Sequence, residues 1–125
     1  MNKLIALFLL LVSNSAFAVD FIEFECVVKS VYHEGRSATK KDWLKIANVV
    51  YNRKIDFKKH KYGAKSGHMC DIVKSKEFNT HDILNKKIRE MDIYDGIRTH
   101  LKKHKWTNIT TATFFKTRNG QMYYS

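Results

Sequence analysis

At 125 residues the chain is one domain at most. Its 23 Lys and Arg against 12 Asp and Glu give a net charge of +11, which points to an anionic partner: nucleic acid, anionic lipid or cell-wall polymer. One apolar run, at the N-terminus, stands out, and no other is long enough to cross a bilayer.

That run reads as a secretory signal. Lys3 is a short positive start, Leu4–Val12 is apolar, and Ala16-Phe17-Ala18 has the small-residue pattern of a cleavage site. The expected division is a signal peptide over 1–18, cut after Ala18, and a mature domain over 19–125, secreted or periplasmic and monomeric. An uncleaved anchor is the alternative; with cleavage, no stable membrane insertion is expected. Lys3 is the one charged residue lost, so +11 becomes about +10. Export argues against nucleic acid as the anionic partner and for the wall polymer. A mature chain of this size can still bury about two-thirds of its unfolded surface.

Asp20 and Glu23 have the spacing of a capping box, predicting a helix that buries Phe21, Phe24, Val27 or Val28, and Val31 and ends near His33 or Glu34 at Gly35. Tyr32-His33-Glu34-Gly35-Arg36 therefore falls where one helix stops, a place where a Glu can sit at the mouth of a cleft. Thr39 caps a second helix with Asp42 in its first turn; Trp43, Ile46, Ala47 and Val50 face inward, Lys40, Lys41, Lys45 and Asn48 outward, and Asn52-Arg53 closes it. Residues 55–80 read as a basic, irregular stretch with Lys58, Lys59 and Lys61 on the surface and a helical turn at Cys70–Val73. From Asp82 to Lys103 the spacing of Leu84, Ile88, Met91, Tyr94, Ile97 and Leu101 predicts one bent helix or two short ones, since Gly96 costs about 1 kcal/mol inside a helix. Thr107–Phe115 and Met122–Tyr124 flank Asn119-Gly120, the signature of a hairpin.

Cys26 and Cys70, an even pair in an exported chain, favour a disulfide. Two buried free thiols, or a zinc site drawing on His68 and Cys70, are the alternatives, the latter without a supporting ligand spacing.

The stretch YHEGR followed by WLKIANVVYNRK resembles the Y-x-E-A-R … A-x-V-V-x-N-R core of the SleB-type cell wall hydrolases, a family of spore-cortex lytic enzymes and phage relatives. The resemblance covers Glu25–Arg53, with looser matches at Cys70–Val73 and Thr111–Phe115. It implies an α+β, mainly helical lysozyme-like domain with a small antiparallel sheet near the C-terminus and a Cys26–Cys70 bridge. It also implies peptidoglycan as substrate and Glu34 as the catalytic acid, with no metal or organic cofactor. Tyr32, His33, Arg36, Thr113 and Phe115 are the substrate-binding candidates it suggests. Two departures are plain: Lys76-Glu77-Phe78-Asn79 keeps only the Phe of the family's Q-F-S-W stretch, and Thr113-Phe114-Phe115-Lys116 lacks both His of its G-A-T-H-[FY]-H segment.

Glycan cleavage needs a proton delivered to a poor leaving oxygen, and a Glu does this when its site is apolar and partly desolvated. Phe24, Tyr32, Trp43 and the tail aromatics are the expected surroundings. No second carboxylate is clearly placed, Asp42 and Asp56 being the nearest candidates. That leans toward a lytic transglycosylase, whose substrate supplies its own nucleophile, over a muramidase. Two rivals belong to other classes: a metal-dependent amidase, and a catalytically silent cationic protein that binds wall polymer or inhibits another enzyme. Without the resemblance, Glu34 is an ordinary helix-end Glu paired with Arg36.

Overall fold

The computed structural model describes residues 19–75, 77–78 and 83–125. The segment read as a signal peptide lies outside the described residues, as do Asp82, Lys76 and Asn79. Among the described residues there are four α-helices, α1 (Phe21–Gly35), α2 (Lys40–Ile55), α3 (Met69–Lys74) and α4 (Met91–Lys103). A 3-10 turn spans Ile83–Asn85, and strands β1 (Phe115–Arg118) and β2 (Gln121–Tyr124) form one antiparallel hairpin. The architecture is α+β and mainly helical, with the small sheet at the C-terminal end, as the sequence predicts.

Helix α1 is the hub and packs against α2, α3 and α4. Its apolar stripe is Val27, Val28 and Val31, all fully buried with Tyr32. Phe21, expected in that stripe, is exposed. The N-terminus is capped as expected: Asp20 Oδ1 accepts from the Glu23 amide at 2.7 Å. Glu23 does not complete a capping box. Its buried carboxylate accepts from Lys54 Nζ at 2.6 Å and from the Met69 amide at 2.9 Å, so it joins α1 to the end of α2 and the start of α3. A disulfide between Cys26 and Cys70 fastens the same two helices. It closes a loop of sequence separation 44, a constraint worth about 4 kcal/mol by loop-closure entropy. The bridge rules out both free thiols and a zinc site that uses Cys70.

At the other end of α1, Gly35 is the last helical residue, not a left-handed cap. A Cβ placed there would lie 2.6 Å from Ile46 Cδ1, so the glycine serves close helix–helix approach. Thr39 and Asp42 form a full capping box at the start of α2.

Helix α2 runs two residues past Arg53 and buries more than its predicted face. Asn48, expected outside, is fully buried, and its Oδ1 accepts from the amides of Ile109 and Thr110 at 2.6 and 2.8 Å. Asn52 Nδ2 donates to the carbonyls of Thr110 and Ala112. Arg53, 1% exposed, donates from Nε to the Thr113 carbonyl and from Nη1 to that of Glu77. Its guanidinium stacks among Tyr62, Phe78 and Phe114, 4.8–5.4 Å from their ring centres. Periodicity could not show this second face, because what covers it arrives sixty residues later.

The helix predicted from Asp82 is shorter than expected. Residues 86–90 have no regular structure, and α4 begins at Met91. In the hairpin, Arg118 pairs with Gln121 across a two-residue turn in which Asn119 and Gly120 both have positive φ, 52° and 77°. Residues 107–114 are not a strand; their polar backbone is satisfied largely by α2 and by Ser125.

Replacing Asn48 with Ala should therefore unfold more than a cap. Two part-buried amides would lose their fully buried acceptor, at about 1–2 kcal/mol each. A loss of roughly 2–4 kcal/mol in a urea titration is expected; a change near zero would show that the 109–113 segment does not depend on α2.

Candidate functional site

The end of α1 opens onto a pocket of about 410 Å³ lined by His33, Glu34, Arg36, Ser37, Lys86, Lys87 and Arg89. Glu34 and His33 are half-buried, and Glu34 Oε1 and His33 Nε2 are closed off from solvent. Glu34 is the one carboxylate among the described residues of this lining.

The far wall is the irregular stretch 86–90, and α1 holds it there. Tyr32, wholly buried, accepts at its hydroxyl from the amides of Arg89 and Glu90, at 3.2 and 3.0 Å. Arg36 pairs with Glu90 at 3.4 Å rather than serving as the partner of Glu34, and its guanidinium lies 5.9 Å from the Tyr32 ring centre. The other side of the helix end is fixed by Trp43, whose indole N–H donates to the Gly35 carbonyl at 2.7 Å. Four of the residues singled out in the sequence, Tyr32, His33, Glu34 and Arg36, thus come together. Tyr32 contributes by positioning, since it has no surface to present.

Thr113 and Phe115 lie elsewhere, and nothing from 107–125 lines this pocket. The Thr113 carbonyl is bound by Arg53, and Phe115 is buried against Phe78 and Tyr124. Of the aromatic surroundings expected for Glu34, Tyr32 and Trp43 stand at this helix end, whereas Phe24 and the tail aromatics sit apart. Phe24 lines a different hollow with Leu101 and Trp106, and the tail aromatics pack on Arg53, Phe78 and Asp42. The pocket is walled by cations instead. Asp42 and Asp56, the candidate second carboxylates, accept from Tyr124 and Tyr62 and are not in the lining. The residues that sequence reasoning missed are Lys86, Lys87 and Arg89; they carried no signal beyond charge while the stretch read as helix.

One group of possible metal donors occurs among the described residues, Asp20, Glu23 and His68, with ligand atoms within 4.8 Å of one another. Each of these residues already has work in the fold, and His68 Nε2 lies 3.9 Å from Asp20 Oδ2. Glu23 Oε2 takes two hydrogen bonds, Asp20 Oδ1 caps α1, and His68 Nδ1 accepts from the Cys70 amide. No family model, curated protein or solved structure matches this chain.

The His33 ring is held neutral to lower pH than a free imidazole. Burial is the main cause, followed by the charge of Lys86, against a bond to the Lys86 backbone that pulls the other way. Its folded pKa lies below 6.5, so between the two values the unfolded chain binds more protons. Stability is then lost as pH falls from 6.5 toward the folded value, and above 6.5 the ring contributes nothing. His100 is displaced in the same direction by burial and by His104. Glu25, lowered by its bonds from Arg98, acts only below 4.5. The melting temperature should fall between about pH 7 and 5, and His33→Gln should flatten that slope. An unchanged slope would remove His33 from the account.

Proposed function

We propose that this chain is an exported enzyme that cuts the glycan strand of peptidoglycan, with Glu34 as general acid and then base. The observation that carries the reading is a single carboxylate at a helix end, one oxygen sheltered, facing a pocket large enough for a sugar unit. The resemblance of Tyr32–Arg36 and Trp43–Arg53 to the SleB-type core supports it, as does a helical domain with a C-terminal hairpin. In this mechanism Glu34 gives its proton to the glycosidic oxygen between muramic acid and glucosamine, and that C–O bond breaks. The 6-hydroxyl of the same muramic residue attacks the oxocarbenium-like carbon and returns its proton to Glu34, leaving a 1,6-anhydro end. One carboxylate suffices for both steps, in keeping with a lining that holds one. Attack by water would give a reducing end and would need a base from outside this lining.

The cationic wall favours a second reading, a silent protein that binds anionic wall polymer. A metal-dependent amidase has less support, because the donors of the Asp20 group are engaged in capping and in an ion pair.

Glu34→Gln keeps size and hydrogen-bonding shape but has no carboxylic proton to give. Activity in a peptidoglycan gel should drop by roughly 10²–10⁴-fold, with little change in melting temperature. Mass spectrometry of the products should show anhydromuramic ends. Full activity in the variant would defeat the mechanism, and an inactive but wall-binding parent would make the protein a binder.

A further inference from the structure

We propose that Lys86, Lys87 and Arg89 form a carboxylate-binding subsite beside Glu34 that takes the peptide stem of the glycan. The inference rests on the reading of the pocket as a peptidoglycan site and names which part of the polymer its wall recognises.

Three observations carry it. The cations converge: Arg36, Lys86, Lys87 and Arg89 all line one pocket, against the lone carboxylate of Glu34. Glu90 is paired with Arg36, and among the described residues none of the other three cations is ion-paired. Like charges held side by side repel, and an arriving anion relieves that repulsion as well as being attracted.

The arrangement is also built, not accidental to a loose loop. Three residues at the end of α1 hold the stretch: Tyr32 through the amides of Arg89 and Glu90, His33 through the Lys86 backbone, and Arg36 through the Glu90 carboxylate. The residues flanking Glu34 thus set where the cations stand relative to it.

The third observation is chemical. The sugars of the glycan carry hydroxyls and amides, and its lactyl carboxyl is used up in joining the peptide. The free carboxylates belong to the stem peptide. A wall of two ammonium groups and a guanidinium, the last able to hold a carboxylate with two parallel bonds, matches the peptide rather than the sugar.

The test uses the mature chain bearing Glu34→Gln, so that ligands are bound without being cut. Calorimetry would compare a soluble disaccharide–tetrapeptide with the same disaccharide whose lactyl carboxyl is capped as a methylamide in place of the peptide. The peptide-bearing ligand should bind about tenfold more tightly or better, the worth of one charge-assisted contact. Adding Lys86→Ala and Lys87→Ala should abolish that advantage while the melting temperature, a check on folding, stays unchanged. Arg89→Ala alone should reduce it in the same direction. Equal affinity for the two ligands, or an advantage that survives the double change in a folded protein, would overturn the subsite. Displacement of the peptide-bearing ligand by inorganic phosphate but not by acetate would overturn it too, assigning the wall to a phosphate polymer. The enzyme reading fails separately. Cleavage of both glycans without preference by the parent protein sinks the subsite and keeps Glu34, whereas peptide-dependent binding without any cleavage does the reverse.

Discussion

Buried backbone needs hydrogen-bond partners, and in this protein that constraint falls on α2. The chain between α4 and the hairpin runs from residue 104 to 114 with no regular structure of its own. Such a segment cannot be packed against a core unless its amides and carbonyls are met. Asn48, Asn52 and Arg53, spaced along one side of α2, supply an acceptor for two amides and donors for three carbonyls of residues 109–113. An apolar face there would have left the segment in water and the hairpin without a base. The hairpin is then tied back at the other end of the same helix, where Tyr124 donates to Asp42 and Lys45 lies over its ring.

The opposite end of the molecule is held by a different kind of bond. Glu23 is buried with an ammonium 2.6 Å away and an orphan amide of α3 on the same oxygen. A lone buried carboxylate there would be costly, and its pairing with Lys54 and with the first turn of a short helix makes it tolerable. The Cys26–Cys70 disulfide, three residues after Glu23 on α1 and one after Met69 on α3, covers the same junction covalently. A six-residue helix such as α3 would not persist alone, so its place depends on these two fastenings.

How much of this was legible in the sequence follows from the range of each interaction. Local signals held: the Asp20 and Thr39 caps, the Trp43–Val50 face, the Met69–Lys74 turn and the Asn-Gly hairpin each depend on neighbours within a few residues. Asn48 and Glu23 were misplaced for one reason: each was assigned the local role its spacing suggested, and each has a partner 31 to 62 residues away. The stretch before Met91 kept apolar residues at helical intervals, but Tyr32 takes the Arg89 and Glu90 amides, and a helix running through 86–90 would have used its own amides internally. Of the candidate site, the part contributed by α1 could be read, and the wall facing it could not. The cations of that wall become neighbours of Glu34 through a segment that is not helical.

Gly35 shows how closely the site and the packing are joined. In the pattern this chain resembles, Ala stands at that position, and here a methyl group would meet Ile46, itself fully buried. The missing Cβ lets the last turn of α1 approach α2, and Trp43 reaches the Gly35 carbonyl from the first turn of that helix. Since Glu34 precedes Gly35 and Arg36 follows it, the same approach sets the direction from which both side chains enter the pocket. In the proposed mechanism, a helix end left to fray would let the carboxylate wander by more than the tolerance of proton transfer. Here it is anchored on one side by an indole bond and on the other by the Tyr32 hydroxyl, so the position of Glu34 is determined by groups that do not touch the pocket's contents.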